Sequence, residues 1–167
     1  MNRLLVILFL LPFLSCSSNA PNDNELPLFN NLVLQLNTDE TVQSITPASQ
    51  EIYERHFSPG DVQIPLYRHI SHTEYDLFVG IPYRTSLKDL KETYFAIQDS
   101  TWNHLDKQID SSSYYRIYQD SSYYRAEYAA ESEDGSLIYL AAVGDTTDFA
   151  ASTFSTFDLT SRIRTRE

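Results

Sequence analysis

The sequence predicts an α+β fold: one domain in which an antiparallel β-meander packs against helices, after an N-terminal signal peptide and a flexible tether. Three aromatic-rich segments, residues 113–119, 123–130 and 136–143, are separated by the turn-forming stretches "DSS" and "ESEDG". Amphipathic stretches with helical spacing precede and follow them. After removal of residues 1–15, the remaining 152 residues are enough for one domain with its own core.

The N-terminus has the pattern of a secretory signal peptide. Arg3 is the only charged residue before Cys16, and residues 4–14 are an apolar run. As a helix this run would be about 16 Å long, which is too short for a bilayer core of roughly 30 Å. We expect residues 1–15 to be removed. The alternatives are a signal cut at another small residue, with Cys16 discarded or left free, and a membrane-anchored helix.

The residues Leu14-Ser15-Cys16 resemble the lipobox of bacterial lipoproteins. In that family the cysteine thiol receives a diacylglyceryl group, the chain is cut before the cysteine, and the new amino terminus is acylated. The resemblance implies the same for Cys16, although Phe13 stands where the family usually has leucine. Ser17 and Ser18 are not acidic, which resembles outer-membrane cargo. The lipobox resemblance therefore implies an anchor in the lipid bilayer. Residues 17–27 are polar, contain two prolines and lack a hydrophobic period, which predicts a flexible tether over residues 16–27 before a domain over residues 28–167.

The first half of the domain shows alternating strand patterns around one helix. Residues 32–36 alternate and predict a strand, Pro47–Phe57 predicts a short helix, and residues 75–81 predict a second strand. Residues 61–67 also alternate, but Pro65 removes a backbone donor, which favours an edge position for this strand.

Two further helices are predicted before the meander. Ser86 and Asp89 form a Ser-x-x-Asp capping signal. One stripe of the helix that follows them is apolar: Leu87, Leu90 and Tyr94. Residues 101–109 also have helical spacing of their apolar residues: Trp102, Leu105 and Ile109.

The middle strand of the meander shows which side chains share a face. Tyr124, Ala126, Tyr128 and Ala130 point one way, and Tyr123, Arg125 and Glu127 point the other way. Residues 137–143 are apolar on both faces, which predicts a central strand. We expect the face of Tyr123, Arg125 and Glu127 to be wet or covered by another element.

After the meander, Asp145 and Asp148 predict the start of a helix whose apolar face, containing Phe149, Phe154 and Phe157, packs against the meander. Aromatic strands followed by "FSTFDL" near a helix end make residues 114–159 similar to PsbP-like domains. These are α/β/α sandwiches in bacterial lipoproteins and photosystem accessory proteins. The resemblance implies an accessory or binding role and identifies no functional residue.

The charge balance excludes a nucleic-acid partner. Arg3 is the one basic residue among the first 15, which contain no Asp or Glu, so residues 16–167 keep 11 Lys and Arg against 23 Asp and Glu, a net charge of −12. Binding to nucleic acid depends on neutralising phosphates with Lys and Arg. With only 4 Gly, neither a P-loop nor a dinucleotide fingerprint is present. No cofactor is predicted.

A His-x-x-His pair is the only arrangement that suggests enzyme chemistry. His69 and His72 lie near Glu74, and on a helix two histidines at this spacing share a face. The surrounding residues favour extended or loop structure, in which the two rings do not converge. We therefore predict two solvated histidines and no metal site. The rival hypothesis is an envelope hydrolase or metal-dependent enzyme that uses these three residues.

Tyrosine is concentrated in the predicted meander: 7 of the 12 tyrosines lie within residues 114–139. Tyrosine combines apolar area with a polar hydroxyl, which suits sheets and recognition surfaces alike. We predict a non-enzymatic binding or accessory lipoprotein that contacts an envelope protein or glycan through Tyr115, Tyr123 and Arg125. A structural subunit of an envelope complex is the third possibility.

Overall fold

The computed structural model describes residues 24–29, 31–57, 63–96, 103–132, 135–148 and 157–166. Cys16, the predicted signal peptide and most of the predicted tether lie outside these ranges. The described chain forms one domain of mixed α and β structure, so the predicted α+β class is confirmed. None of the helices in these ranges is long and apolar enough to cross a membrane.

The larger of two sheets has seven strands, and all of its pairings are antiparallel. Its strands are β3 (Thr41–Gln43), β4 (Leu66–Ser71), β5 (Asp76–Gly80), β6 (Asn103–Ile109), β7 (Ser113–Gln119), β8 (Tyr123–Glu131) and β9 (Leu137–Asp145). The spatial order is β3-β4-β5-β9-β8-β7-β6. The predicted meander is therefore confirmed as β7-β8-β9, and β9 is central as its apolar sequence indicated.

A smaller sheet contains β1 (Glu25–Pro27), β2 (Leu32–Gln35) and β10 (Ile163–Thr165), with β2 in the middle. A 3-10 turn, Thr160–Arg162, leads into β10. The predicted tether was too long at its C-terminal end, because residues 25–27 pair with β2. Pro27 is tolerated there since β1 is an edge strand.

Each face of the seven-stranded sheet is covered by a different layer. The face that contains Ala126 and Tyr128 packs against the small sheet, including Leu34 of β2. We call it the small-sheet face. The opposite face, which contains Ala129 and Tyr139, packs against the helices through residues such as Phe57 and Leu90. We call it the helix face.

The first helix, α1 (Pro47–Phe57), begins at a local cap and ends as predicted. The backbone N–H of Ser49 donates to Thr46 Oγ1 at 3.2 Å, and the backbone N–H of Thr46 donates to Ser49 Oγ at 2.9 Å. Pro47 lies in the first turn, where its missing N–H costs nothing. Tyr53, His56 and Phe57 are buried and face the sheet.

The second helix, α2 (Leu87–Leu90), continues into a π-helical turn, Lys91–Phe95. The predicted capping box is confirmed: Asp89 N–H donates to Ser86 Oγ at 3.1 Å, and Ser86 N–H donates to Asp89 Oδ2 at 3.4 Å. The predicted apolar stripe is also buried. The wider π-turn lets the neighbouring Tyr94 and Phe95 both face the sheet.

Two local predictions were wrong. Residues 103–109 form β6 and not a helix, because pairing with β7 outweighs the helical spacing of three apolar residues. Leu105 of this edge strand is 54% exposed. The strand predicted at 61–67 begins only at Leu66, after Pro65, and lies between β3 and β5 and not at an edge. Because Pro65 lacks an N–H, the strand begins after it, at Leu66. Pro65 does not determine where the strand lies in the sheet.

The helix predicted after Asp145 lies mostly outside the described residues. The Asp145 carboxylate accepts from the backbone N–H of Thr147 at 2.7 Å, which closes a turn at the end of β9. The chain is described again from Phe157, which packs with Leu159 on the small-sheet face.

Candidate functional site

The three residues predicted to form an exposed tyrosine-rich patch lie on two faces of the sheet. Tyr115 is on the small-sheet face and is 5% exposed, and its hydroxyl donates to the carbonyl of Phe157. Tyr123 and Arg125 are on the helix face, where Arg125 is also 5% exposed. Of the two alternatives for the face of Tyr123, Arg125 and Glu127, wet or covered, the structure shows the covered one, because helices pack on it. The small sheet covers the face of Tyr115.

A fully buried ion pair lies at the centre of the helix face. Arg116 and Glu127 stand opposite each other on β7 and β8, and neither side chain is exposed to solvent. Arg116 Nε donates to Glu127 Oε2 at 2.6 Å. The hydroxyls of Tyr94 and Tyr139 both donate to the other carboxylate oxygen, the Tyr94 bond being 2.5 Å long. We call these four residues the buried carboxylate cluster.

The electrostatics of this cluster keep the Tyr94 and Tyr139 hydroxyls and the Arg116 guanidinium protonated. Burial, followed by the nearby Glu127 charge, raises the pKa of Tyr94 and of Tyr139 well above the usual value. Although burial opposes the charged form of Arg116, the Glu127 carboxylate raises the pKa of the guanidinium. The Glu127 carboxylate accepts from Arg116, Tyr94 and Tyr139 inside a closed core. The cluster therefore stabilises the fold and presents no reactive group to solvent.

Arg125 belongs to a second polar group, at the end of α1. Its Nη2 donates to His56 Nδ1 at 2.9 Å and pairs with Asp120 Oδ2 at 2.9 Å. The Tyr123 ring meets the His56 ring edge-on, with 4.4 Å between centroids. Burial, then the charges of Arg125 and Arg55, lower the pKa of His56 to about 4. The imidazole is therefore neutral at pH 7 and accepts the bond from Arg125.

This polar group borders an open cleft of about 280 Å³ at one end of the sheet. We call it the helix-side cleft. One wall is the turn between β4 and β5, residues 72–75. The opposite walls come from α1, β8 and the end of β9, and they include Arg55, His56, Tyr123 and Asp145.

The same turn forms one wall of a second cleft, of about 400 Å³, on the other side of the sheet. We call it the small-sheet-side cleft. His72, Glu74 and Tyr75 line both clefts. The remaining lining residues are mainly polar, together with one aromatic ring: Gln35, Asn37, Phe157, Asp158, Ser161 and Arg162.

A buried ion pair holds the shared wall in position. Arg162 Nη1 donates to Glu40 Oε1 at 2.9 Å, and the Tyr75 hydroxyl donates to the same oxygen at 2.6 Å. Arg162 Nε also donates to the Gln35 carbonyl at 3.0 Å. Burial, then the hydrogen bond to Glu40, raises the pKa of Tyr75 to about 12. The Glu40 carboxylate thereby connects Tyr75 of the turn to Arg162, which lies just before β10. Arg162 in turn binds the last residue of β2, Gln35.

The structure does not bring His69 and His72 together. His69 Nε2 lies 2.7 Å from Asp76 Oδ1, and its ring stacks on Phe78 of the helix face. The His72 ring stacks on Tyr75, which packs on the small-sheet face. The prediction that both histidines are solvated was wrong for His69, which is buried in β4. Among the described residues, no group of three His, Cys, Asp or Glu side chains can hold a metal ion.

Sequence reasoning missed the residues that build the clefts. Arg116 and Glu127 could have been paired from the meander register, because they are opposite charges at facing positions. Glu40 and Arg162 are 122 residues apart, and their pairing has no local signal. Nothing in the sequence indicated the bond between His56 and Arg125, which are 69 residues apart.

A scan against protein-family models and a search of curated proteins gave no match to this chain. The resemblances to lipoproteins at Cys16 and to PsbP-like domains at residues 114–159 therefore stay predictions.

Because His56 is neutral in the folded protein, we predict that the free energy of unfolding decreases as the pH is lowered. In the unfolded chain His56 takes up a proton near its ordinary pKa of 6.5, whereas the folded protein resists protonation until about pH 4. Stability present above about pH 6.5 is therefore lost as the pH falls toward 4. We expect a loss of about 1–2 kcal/mol from this group, reduced from the full shift because the site borders solvent.

Urea unfolding at pH 7, 6 and 5 measures this effect. Acidic residues also contribute to the loss, so the difference between the wild-type protein and His56→Gln isolates the histidine. That difference is expected to shrink as the pH falls. A difference that is constant with pH would contradict a neutral buried His56.

Proposed function

We propose that this protein is a lipid-anchored protein of the bacterial envelope that binds a polar ligand and does not catalyse a reaction. The observation that carries the proposal is the pair of clefts on the two sides of the β4–β5 turn. They share His72, Glu74 and Tyr75 as a wall, and the buried Glu40–Arg162 ion pair holds Tyr75 in position. A preformed concave surface of this kind is typical of ligand sites.

Binding is favoured over catalysis by the state of the titratable groups beside the clefts. The His56 nitrogen that has a described partner already accepts from Arg125, and the Tyr75 hydroxyl already donates to Glu40. A general acid or base needs a proton-transfer atom that is directed at substrate. These two groups, whose pKa values are strongly shifted, are committed to internal partners.

The lining of the small-sheet-side cleft favours a glycan as the ligand. Aromatic surface from Tyr75 and Phe157 lies among amide, carboxylate, hydroxyl and guanidinium groups. Such groups supply both donors and acceptors for the hydroxyls of a sugar ring, while the ring faces supply apolar contact. Tyr123, from the predicted patch, lines the helix-side cleft.

A bulky residue in the small-sheet-side cleft tests this site. Ser161 is exposed and lines the cleft, so Ser161→Trp is expected to block it without unfolding the protein. Co-sedimentation with purified peptidoglycan measures binding, with a loss of about tenfold or more expected, the equivalent of one or two strong hydrogen bonds. Ser111→Trp, in the exposed β6–β7 turn, is the matched control.

If the wild-type protein does not sediment with peptidoglycan, or if both variants lose binding equally, the glycan proposal is wrong. Retention of binding by Ser161→Trp alone would place the ligand elsewhere. Cross-linking to an envelope protein, reduced by Ser161→Trp, would identify a protein ligand instead.

The anchor has its own test. The wild-type protein is expected in the membrane fraction and to incorporate labelled fatty acid, since acyl chains contribute about 0.8 kcal/mol per buried CH₂. Cys16→Ser removes the acceptor thiol and should lose both properties. If Cys16→Ser matures normally and stays in the membrane fraction, lipidation at this residue is wrong.

A further inference from the structure

The outer strand of the seven-stranded sheet at the α1 end is open. β3 pairs with β4 on one side, and no described strand pairs with its other side. All three of its residues are exposed. Val42 is 40% exposed, and Ile45, just after the strand, is 44% exposed. An open edge exposes backbone N–H and C=O groups that can pair with another extended chain.

A groove of about 410 Å³ lies beside this edge. Its described lining consists of residues 42–45 together with Tyr67 and Arg68 of β4. Arg68 is the one charged residue in this set. The groove therefore combines two exposed aliphatic side chains, an open strand edge and a single positive charge.

The guanidinium of Arg68 is held in place by its own neighbour. It lies over the Tyr67 ring, 3.9 Å from the centroid, and donates to the Tyr67 carbonyl at 2.9 Å and to the Tyr67 hydroxyl at 3.1 Å. These partners are uncharged oxygens. A guanidinium fixed beside an open strand favours an incoming carboxylate through a charge-assisted hydrogen bond at short range.

We propose that the β3 edge binds an extended, acidic peptide segment of a partner protein as an additional strand. Backbone hydrogen bonds to β3 supply the pairing, Val42 and Ile45 contact an apolar side chain, and Arg68 pairs with a carboxylate of the segment. Strand addition of this type takes its affinity from the backbone and its specificity from alternate side chains. The surface is separate from the two clefts and does not depend on the glycan proposal.

A second copy of this chain is a poorer occupant of the edge. β3 itself, Thr41–Gln43, contains no carboxylate to pair with Arg68. The preceding residue, Glu40, is buried and paired with Arg162. Two β3 edges that pair with each other would also bring like guanidinium groups to the same interface. The charge of the groove thus selects an acidic segment over self-association.

Synthetic peptides test the proposal with the full-length lipoprotein in detergent micelles. The probes are fluorescein-labelled peptides of alternating threonine and valine with one glutamate at successive positions, and the same peptides with glutamine. Fluorescence anisotropy is expected to show at least one glutamate peptide binding about tenfold more tightly than its glutamine partner. Amide chemical shifts of residues 41–45 should move on binding.

Arg68→Gln is expected to remove the preference for glutamate. Arg84→Gln is the matched control, because Arg84 also lies over its preceding tyrosine, 5.0 Å from the Tyr83 centroid, and is outside the groove lining. Ile45→Glu, at an exposed position, should weaken every glutamate peptide.

Three results would overturn the proposal. One is the absence of binding by every peptide at protein concentrations up to about 1 mM. Another is a loss of the glutamate preference in Arg84→Gln that equals the loss in Arg68→Gln. The third is sedimentation of the wild-type protein as a dimer that Ile45→Glu dissociates, which would identify a second copy as the occupant.

Discussion

Glu127→Ala is expected to destabilise the protein by about 3–5 kcal/mol, the usual cost of removing one member of a buried ion pair. The substitution leaves the Arg116 guanidinium in a fully buried site without a countercharge. It also removes the acceptor of the Tyr94 and Tyr139 hydroxyls. A domain of this size has a total stability of roughly 5–15 kcal/mol, so the substitution removes a large share of it.

Urea unfolding followed by circular dichroism measures the effect. The informative control is Arg116→Met with Glu127→Leu, which removes both charges and keeps the volume of the site. Apolar replacement of a whole buried pair is often neutral or stabilising. The double variant should therefore recover the part of the lost stability that comes from the unpaired Arg116 charge, although the Tyr94 and Tyr139 hydroxyls still lack their acceptor. If the double variant is less stable than Glu127→Ala, the cost comes from packing and not from an unpaired charge.

Arg162→Met is expected to have the second largest effect, again about 3–5 kcal/mol. It leaves the Glu40 carboxylate buried, with only the Tyr75 hydroxyl and the Asn37 N–H as described donors. Arg162 also holds the Gln35 carbonyl at the end of β2. The loss should therefore be greatest in the small sheet and at the wall of the small-sheet-side cleft.

Hydrogen exchange with mass spectrometry measures this local effect. We expect faster exchange in residues 32–35 and 163–165 of Arg162→Met, with residues 137–143 of the central strand still protected. Arg164→Ala is the matched control. Arg164 pairs with Glu25 in the same small sheet but is half exposed, so its loss should cost at most about 1 kcal/mol. Equal effects of the two substitutions would show that burial of the Glu40–Arg162 pair does not matter.

The two predictions also connect stability to the clefts. Arg162 and Tyr75 line the small-sheet-side cleft while they are bonded to Glu40. A variant that loosens this pair should therefore lose ligand binding together with the protection of β2 and β10. Glu127→Ala affects the opposite face and should reduce binding only through global unfolding.

Local chemistry could be predicted where neighbouring residues decide it. The Ser86–Asp89 capping box needs only a spacing of three residues. The helix Pro47–Phe57 depends on a similar local cap at Thr46 and Ser49. Where pairing partners compete with local spacing, the prediction failed. Residues 103–109 join β7 as a strand because backbone pairing, interrupted only between His104 and Asp106, outweighs the helical spacing of the apolar residues.

The candidate site could not be predicted from the sequence, for a different reason. The clefts are formed by the ends of elements from distant parts of the chain, and the shared wall is held by Glu40 and Arg162, 122 residues apart. Tyrosine enrichment in the meander did not by itself distinguish a packed sheet from a recognition surface. Most of these rings are buried in the core between layers, and the hydroxyls of Tyr115 and Tyr139 donate to internal acceptors.

By itself the sequence determined the meander, the alternation of side chains along β8 and the central position of β9, because a strand has a period of two residues and a two-sided apolar strand must be covered. Only the tertiary structure decided what covers each face. Alternation says which side chains point the same way, but it carries no information about the layer that packs on them. Arg125 and Glu127 therefore share a face as predicted, but the sequence left open whether that face is wet or covered. Helices bury it, so both charges lie in internal ion pairs.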